Sequence, residues 1–154
     1  MVAFLPALAQ PLRPHPSPPA PSCSWVFPAV WIPLKLLQSA AVARLLAQAA
    51  AERAAAGTLF PSRPTTVALA AWALMTGLGN LWNHTFFGKR QLRKSVKVMA
   101  AFWASLAGSI AAAHAADPAA GKLIAPTLVW VTIAAKLNHA IVSLNKDKWE
   151  DKRE

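Results

Sequence analysis

Four long stretches of the chain are almost free of ionised side chains, and more polar segments separate them. These stretches are residues 23–51, 65–87, 98–116 and 123–145. Each can cross a bilayer as a helix, because roughly 20 residues rising about 1.5 Å each span a hydrocarbon core of about 30 Å. Stretch 98–116 has no polar face on any side, as a helix of a soluble bundle would need. The pattern therefore predicts an all-α integral membrane bundle with four transmembrane helices.

The segments outside these stretches divide the chain into three parts. Residues 1–22 are rich in proline, which prevents a continuous helix, so they are interpreted as a linker or as a semi-rigid loop over the helices. They contain no pattern typical of a signal or transit peptide. Residues 23–145 form the predicted bundle, and residues 146–154 form a charged tail.

Composition and charge add an orientation to this picture. Hydrophobic residues make up 55% of the 154 positions and charged residues 14%, whereas a soluble domain has roughly 25% charged residues. The net charge is +10, with 16 Lys and Arg. Most of these flank one side of the predicted membrane, so the positive-inside rule predicts that both termini and segment 88–97 are cytoplasmic. Because the cations are dispersed at helix ends, the chain is expected to bind no nucleic acid.

Two of the predicted helices carry aromatic stripes. The stripe on 65–87 consists of Trp72, Met75, Gly79, Trp82 and Phe86, beside a polar stripe of Thr76, Asn80 and Asn83. The stripe on 123–145 consists of Thr127, Trp130, Ala134, Asn138, Ile141 and Asn145. Amides in lipid need partners, so the polar stripe is expected to face protein or a cavity. The aromatic stripes fit either ordinary bundle packing or a pocket for a flat apolar ligand whose amides fix its orientation.

Three cations interrupt the apolar stretches, and no acid lies inside any of them to neutralise these charges. Arg44 is close to the end of its predicted helix and is expected to extend toward the interface. Lys35 and Lys136 lie deeper, where an unpaired charge is costly. One hypothesis is that either lysine binds the carboxylates of an anionic ligand.

Residues suited to catalysis or metal binding are few. Cys23 is the only cysteine, so no intrachain disulfide and no cysteine zinc cluster can form. His84, His114 and His139 lie on three different predicted helices without ligand spacing. The sequence has no Ser/His/Asp arrangement, phosphate-binding glycine loop or carboxylate pair. A binding protein without a metal is therefore predicted rather than an enzyme.

Four motifs in a fixed order are familiar as a set. They are FLPALAQP at 4–11, SWVFPAVW at 24–31, the series Trp82, Phe86, Phe87, Gly88 and Arg90, and APTLVWVTIAAKLNHAIVSLN at 125–145. They resemble, in turn, the first loop, the start of the second helix, the end of the third helix and the fifth helix of the tryptophan-rich sensory protein and translocator protein (TspO/MBR) family. The resemblance covers nearly the whole chain.

The resemblance implies a five-helix membrane bundle, often a homodimer, that binds porphyrins, sterols and benzodiazepine-site drugs in a pocket between helices. Its members occur in the mitochondrial outer membrane, the endoplasmic reticulum and bacterial membranes. It implies no cofactor beyond porphyrin or haem as ligand. Together with the stripes it gives ten candidate ligand-binding residues, which are Trp25, Phe27, Trp31, Asn80, Trp82, Phe86, Trp130, Ala134, Leu137 and Asn138.

The expected function is binding with transport or sensing of tetrapyrroles, and of sterols in second place. The alternatives are light-dependent porphyrin degradation through pocket tryptophans and an inactive truncated family member. If residues 4–11 are the first loop, the first transmembrane helix of the family has no counterpart here. The family's sterol pattern needs a tyrosine and a later Arg or Lys, where this chain has His139 and Ser143, so the tetrapyrrole is favoured.

Overall fold

A computed structural model describes the chain over residues 26–89 and 91–144. Within these residues the elements are α1 (Val26–Ala56), α2 (Arg63–Asn83), a wider π-helical turn (His84–Gly88), α3 (Leu92–Ala116) and α4 (Pro118–Leu144). The described part contains no β-strand, which confirms the all-α class. The predicted loop 1–22, the tail 146–154 and the candidate Trp25 lie outside the described residues.

The chain divides into two units, residues 1–32 and residues 33–154. Of the first unit, the structure describes the start of α1. The second unit contains the rest of α1 and the other three helices. The packing given below is that of the second unit.

Three helical segments are long and apolar enough to cross a membrane, namely Ala29–Ala56, Arg93–Ala116 and Pro118–Ser143. The remaining predicted span, residues 65–87, corresponds to α2, which has 21 residues. Its threonines, glycines and Asn80 make it less apolar than the other three helices. By length and composition, the described residues therefore provide three clear spans and one shorter, more polar helix.

Three helix boundaries differ from the predicted stretches by five or six residues. α3 begins at Leu92 instead of 98, and local signals explain the other two. α4 begins at Pro118 instead of 123, because Asp117 accepts a hydrogen bond from the Ala119 backbone N–H at 2.9 Å as an N-cap and proline favours the first helical position. α1 continues to Ala56 instead of 51 and ends at Gly57, whose φ of +62° is the left-handed conformation that terminates helices.

α3 is the central helix of the second unit and packs against both α2 and α4. The helices approach closely at two glycines. A β-carbon added at Gly79 of α2 would lie 3.1 Å from Phe102 Cε2 of α3, and one added at Gly121 of α4 would lie 2.8 Å from His114 Cα. Such approaches are typical of membrane helices, where packing replaces the hydrophobic effect as the main attraction.

The buried positions follow helical stripes, whereas large apolar side chains cover much of the outside. On α1 the buried stripe is Leu34, Gln38, Ala41, Leu45 and Ala49. On α4 it is Ala120, Ile124, Thr127, Val131 and Asn138. Exposed apolar residues include Leu36, Leu46, Leu74, Val129 and Ile133. An apolar exterior around a core that combines apolar side chains with small and polar ones suits a bundle surrounded by lipid.

Candidate functional site

Three aromatic rings form a cluster at the end of α2. Trp82 and Phe86 are stacked, with ring centroids 5.4 Å apart and planes at 20°. Phe87 meets both rings edge-on, at 5.7 Å from Trp82 and 4.8 Å from Phe86. Trp82 is buried, Phe86 is half-buried and Phe87 is 56% exposed. We call these three residues the aromatic cluster; one side of it lies against protein and the other is open.

The π-helical turn explains why Phe87 joins the cluster. In a regular α-helix Trp82 meets the residue four positions later, which is Phe86. The turn His84–Gly88 has a five-residue period, shown by the Lys89 N–H that donates to the His84 carbonyl at 2.8 Å. The wider turn brings Phe87 against Trp82 as well. Sequence reasoning based on α-helical spacing did not include Phe87 among the candidates.

The cluster lies at the end of the bundle that carries the basic segment 88–97. α2 and α3 are antiparallel, so the contact of Gly79 with Phe102 places Trp82 at the level of Met99 and Phe86 at the level of Ser95. The part of α3 at the level of the aromatic cluster is therefore its first half, which begins within the basic segment.

Several buried donors near aromatic residues have no hydrogen-bond partner. In the part of the chain that the structure describes, these include the indole Nε1 atoms of Trp72, Trp82 and Trp130 and the amide Nδ2 of Asn138. An unpaired buried donor costs about 1–3 kcal/mol, so such groups mark places where a ligand acceptor or water would be stabilised. Trp82 combines an unpaired N–H with a stacked ring face.

The residues that the sequence placed on one stripe of α4 differ in how deeply they are buried. Thr127 and Asn138 are buried at 0% and 2% exposure, whereas Trp130 and Ala134 are half-buried. Leu137, which was not part of the stripe, is 60% exposed. The stripe is therefore covered at Thr127 and Asn138 and partly open at Trp130 and Ala134.

Asn138 belongs to the contact between α3 and α4. Its Oδ1 accepts a hydrogen bond from the Ser95 hydroxyl at 3.0 Å. A second bond joins the same helices, from the Trp103 indole N–H to the Thr132 hydroxyl at 2.8 Å. The structure thus does not bring Asn138 to the aromatic cluster of α2, although both lie at the same depth.

The remaining candidates are placed as follows. Asn80 is exposed, as is Asn83, whereas Thr76 is half-buried, so the polar stripe is not covered by the described residues. Residue 80 also faces away from Trp82, because positions two apart on a helix point in nearly opposite directions. Phe27 and Trp31 belong to the start of α1 in the first unit.

Gln38, which the sequence analysis did not single out, connects α1 to α4. Lys35 donates to the Gln38 Oε1 at 3.3 Å, and Gln38 Nε2 donates to the Thr127 hydroxyl at 2.9 Å. Gln38 is 4% exposed and occurs at helical spacing with Leu34 and Ala41. That spacing was the available signal that Gln38 is an interior polar residue.

A second set of polar contacts lies at the opposite end of the helices. Gln48 Nε2 lies 2.9 Å from Glu52 Oε1. The same nitrogen lies 3.2 Å from both the Thr65 hydroxyl and the Ala116 carbonyl. The Thr65 hydroxyl also donates a hydrogen bond to Glu52 at 2.9 Å. Arg44 Nε donates to Asp117 Oδ2 at 2.7 Å. The acid that pairs with Arg44 lies outside the predicted apolar stretches, in the linker between α3 and α4.

The Arg44 guanidinium, by hydrogen bonding to Asp117, holds the pKa of that carboxyl below its ordinary value, with the Ala119 N–H acting in the same direction. Such a group stabilises the fold above its unfolded pKa of about 3.9, and this contribution is lost as pH falls through the folded pKa. We expect Asp117→Asn, which keeps the helix cap, to lower the melting temperature in detergent at pH 6. The difference from the wild type should shrink as the pH falls below the unfolded pKa of about 3.9, because protonation of Asp117 removes the charge pairing. A difference that does not change with pH would contradict the charge pairing.

Comparison with known proteins agrees with these features. The model of the TspO/MBR family matches residues 8–144. The chain is 28% identical over 122 residues to protein CrtK of Rhodobacter capsulatus, covering 79% of this chain and 70% of the relative. It is 31% identical over 126 residues to the tryptophan-rich sensory protein of Cereibacter sphaeroides, covering 82% and 71%. It is 26% identical over 134 residues to the tryptophan-rich protein TspO of Chlorobaculum tepidum, covering 87% and 76%. With its apolar helices and this match over most of its length, the chain is a multi-pass helical membrane protein that belongs to the TspO/MBR family.

Proposed function

We propose that this protein binds a tetrapyrrole, a porphyrin or haem, within the membrane and takes part in its transport or sensing. Family membership supports a role in membrane sensing or transport, and a relative is named a sensory protein. The observation that carries the ligand class is the stack of Trp82 on Phe86, with an unpaired indole N–H beside it.

The physical argument concerns the shape and polarity of this surface. Phe86 is half-buried and Phe87 is 56% exposed, so the open side of the aromatic cluster presents an apolar surface, with the buried Trp82 behind it, against which a flat conjugated macrocycle can pack. A porphyrin carries carboxylates at its edge, and a carboxylate accepts a hydrogen bond from an indole N–H. Trp82 and Phe86 are therefore the central residues of the proposed site.

The other candidate residues are included on different grounds. Trp130, Ala134 and Leu137 are partly open on α4, and Trp130 has an unpaired N–H. The further candidates, Trp25, Phe27, Trp31, Asn80 and Asn138, enter through the sequence pattern and the family resemblance. A sterol is the weaker ligand, because His139 and Ser143 stand at the positions of its recognition pattern.

We propose further that the basic segment 88–97 and the C-terminus face the cytoplasm, according to the positive-inside rule. In a eukaryotic cell the membrane would be the mitochondrial outer membrane or the endoplasmic reticulum. A homodimer in the lipid bilayer is the assembly that the family resemblance favours.

The test is a titration of the purified protein in detergent with protoporphyrin IX in the dark, followed by quenching of tryptophan fluorescence. We expect saturable quenching with a fixed stoichiometry, and no displacement by an equal concentration of cholesterol. Micelles without protein serve as the blank. Quenching that never saturates would contradict the proposal.

The same sample separates binding from catalysis. Under illumination, the absorbance of the bound protoporphyrin is expected to decay no faster than that of protoporphyrin in empty micelles. A faster decay that requires the protein would instead support the alternative, light-dependent degradation.

A further inference from the structure

A groove of about 550 Å³ lies between α3 and α4, within the second unit. Its apolar walls consist of Val96, Met99, Ala100, Trp103, Ala135 and Ala140. The volume is in the range of small-molecule sites. None of the three residues of the aromatic cluster lines this groove, so it is a different site from the proposed tetrapyrrole surface.

The polar groups of the groove are mainly hydrogen-bond donors. Lys136, Asn138 and His139 line it on the α4 side. Asn138 is 2% exposed; its Oδ1 is used by Ser95, while its Nδ2 has no hydrogen-bond partner. The Trp103 N–H is already used by Thr132. The groove therefore presents one buried unpaired donor beside an ammonium and an imidazole.

Among residues 26–89 and 91–144, no carboxylate lies near this end of the helices. The two acids in the described part of the chain, Glu52 and Asp117, take part in the polar contacts at the opposite end. Asp117 is 19 positions before Lys136, which corresponds to about 28 Å along α4. Arg93 adds a further cation, three positions before Val96 on the same face of α3. An anionic group is the chemistry that this end of the groove would stabilise.

The depths of these groups along the bilayer normal match the headgroup and the acyl chains of a lipid. Lys136 lies eight residues before the end of α4, about 12 Å along the axis, and its long side chain can extend to the headgroup region. Arg93 and His139 lie closer to that end. The apolar walls continue toward the bilayer centre as far as Trp103. The groove thus combines donors near headgroup depth with an apolar channel at acyl-chain depth.

We propose that the groove between α3 and α4 binds an anionic phospholipid from the leaflet at the basic end of the bundle. The phosphate contacts Lys136, His139 and the Asn138 Nδ2, with Arg93 nearby, and one acyl chain lies along Val96, Met99 and Ala100. Basic pockets between membrane helices are known to select anionic headgroups.

The charges argue against other occupants. A second copy of the chain, placed symmetrically on this groove, would bring Lys136 and Arg93 of the two copies toward each other, and like charges repel in a medium of low dielectric constant. A sterol has an uncharged hydroxyl and would leave the ammonium unpaired. An anionic lipid supplies both the charge and the chain.

The test is native mass spectrometry of the full-length protein in detergent, with phosphatidylglycerol and phosphatidylcholine of identical acyl chains. We expect phosphatidylglycerol to bind at least fivefold more tightly. Lys136→Gln should reduce this preference about fivefold, which corresponds to about 1 kcal/mol for one cation at the membrane surface. Lys122→Gln is the matched control, because Lys122 is an exposed lysine at the other end of the same helix, and it should leave the preference unchanged.

A second variant tests the groove apart from its charge. Ala100→Leu adds three carbon atoms to the apolar wall and should weaken binding of both lipids, whereas Ala104→Leu, at an exposed position one turn further along α3, should not. Equal binding of the two lipids, equal effects of the two lysine variants, or displacement of phosphatidylglycerol by cholesterol would each overturn the proposal. None of these outcomes depends on tetrapyrrole binding.

Discussion

Replacing Gly121 with alanine is expected to destabilise the protein by about 2 kcal/mol, as an overpacking change at a helix contact. The new β-carbon would lie 2.7 Å from His114 Cβ, 2.8 Å from His114 Cα and 2.9 Å from His114 N. Two of these atoms belong to the backbone of α3, so no side-chain rotation can relieve the clash and α3 and α4 must move apart. The melting temperature in detergent, followed by circular dichroism at 222 nm, measures the effect.

Gly108→Ala is the matched control for this prediction. Gly108 lies within α3, and no atom comes within 4 Å of an added β-carbon. Alanine is also the better helix former, by about 1 kcal/mol, so the control should leave the melting temperature unchanged or raise it. If both variants lower the melting temperature equally, α3 and α4 do not approach each other as described.

Shortening Leu106 to alanine is expected to cost about 2 kcal/mol, through the cavity that it leaves. Leu106 is fully buried on α3, the helix that contacts both α2 and α4. In lipid the transfer of an apolar side chain into the protein contributes little, because acyl chains are as apolar as leucine. The loss therefore consists mainly of packing contacts, and it should be at the low end of the values known for soluble proteins.

Leu74→Ala provides the comparison, since Leu74 on α2 is 61% exposed and contacts mainly the surroundings. Its shortening should change the unfolding free energy by less than about 0.5 kcal/mol. Unfolding by increasing concentrations of SDS, which disrupts helix packing in membrane proteins, measures the unfolding free energy of both variants. Equal losses would mean that α3 is not the central helix.

The sequence predicted the membrane fold well, because long stretches without charged residues occur mainly in membrane-spanning helices. It also identified the stacked pair, since Trp82 and Phe86 are four positions apart on a helix. Family motifs pointed to the same two residues, and the match over residues 8–144 confirms the family.

Three features were out of reach for reasoning from the sequence. Arg44 and Asp117 are 73 positions apart, and no local pattern connects them. Phe87 joins Trp82 only because the helix widens to a five-residue period at its end. Asn138 pairs with Ser95, 43 positions earlier in the chain, and no local pattern connects these two residues. Each depends on tertiary contacts or on an irregular backbone.

One contrast between the two ends of the bundle follows from these contacts. At the end near the linker between α3 and α4, Gln48 of α1 contacts Thr65 of α2 and Ala116 of α3, and Asp117 pairs with Arg44 of α1. At the basic end, the unpaired donors of Trp82 and Asn138 lie near the aromatic cluster and the groove. The first end is suited to hold the helices together, and the second is suited to bind ligands.

The central claim is that the aromatic cluster, with Trp82 at its base, binds a tetrapyrrole, and two matched variants test it most directly. Trp72 lies on the same stripe of α2, ten positions earlier and about 15 Å away along the helix. In titrations with protoporphyrin IX, Trp82→Ala is expected to raise the Kd about tenfold, whereas Trp72→Ala changes it less than about twofold. Trp82→Phe, which keeps a ring for stacking, should restore most of the affinity. If Trp82→Ala and Trp72→Ala bind protoporphyrin IX equally well, the aromatic cluster is not the site.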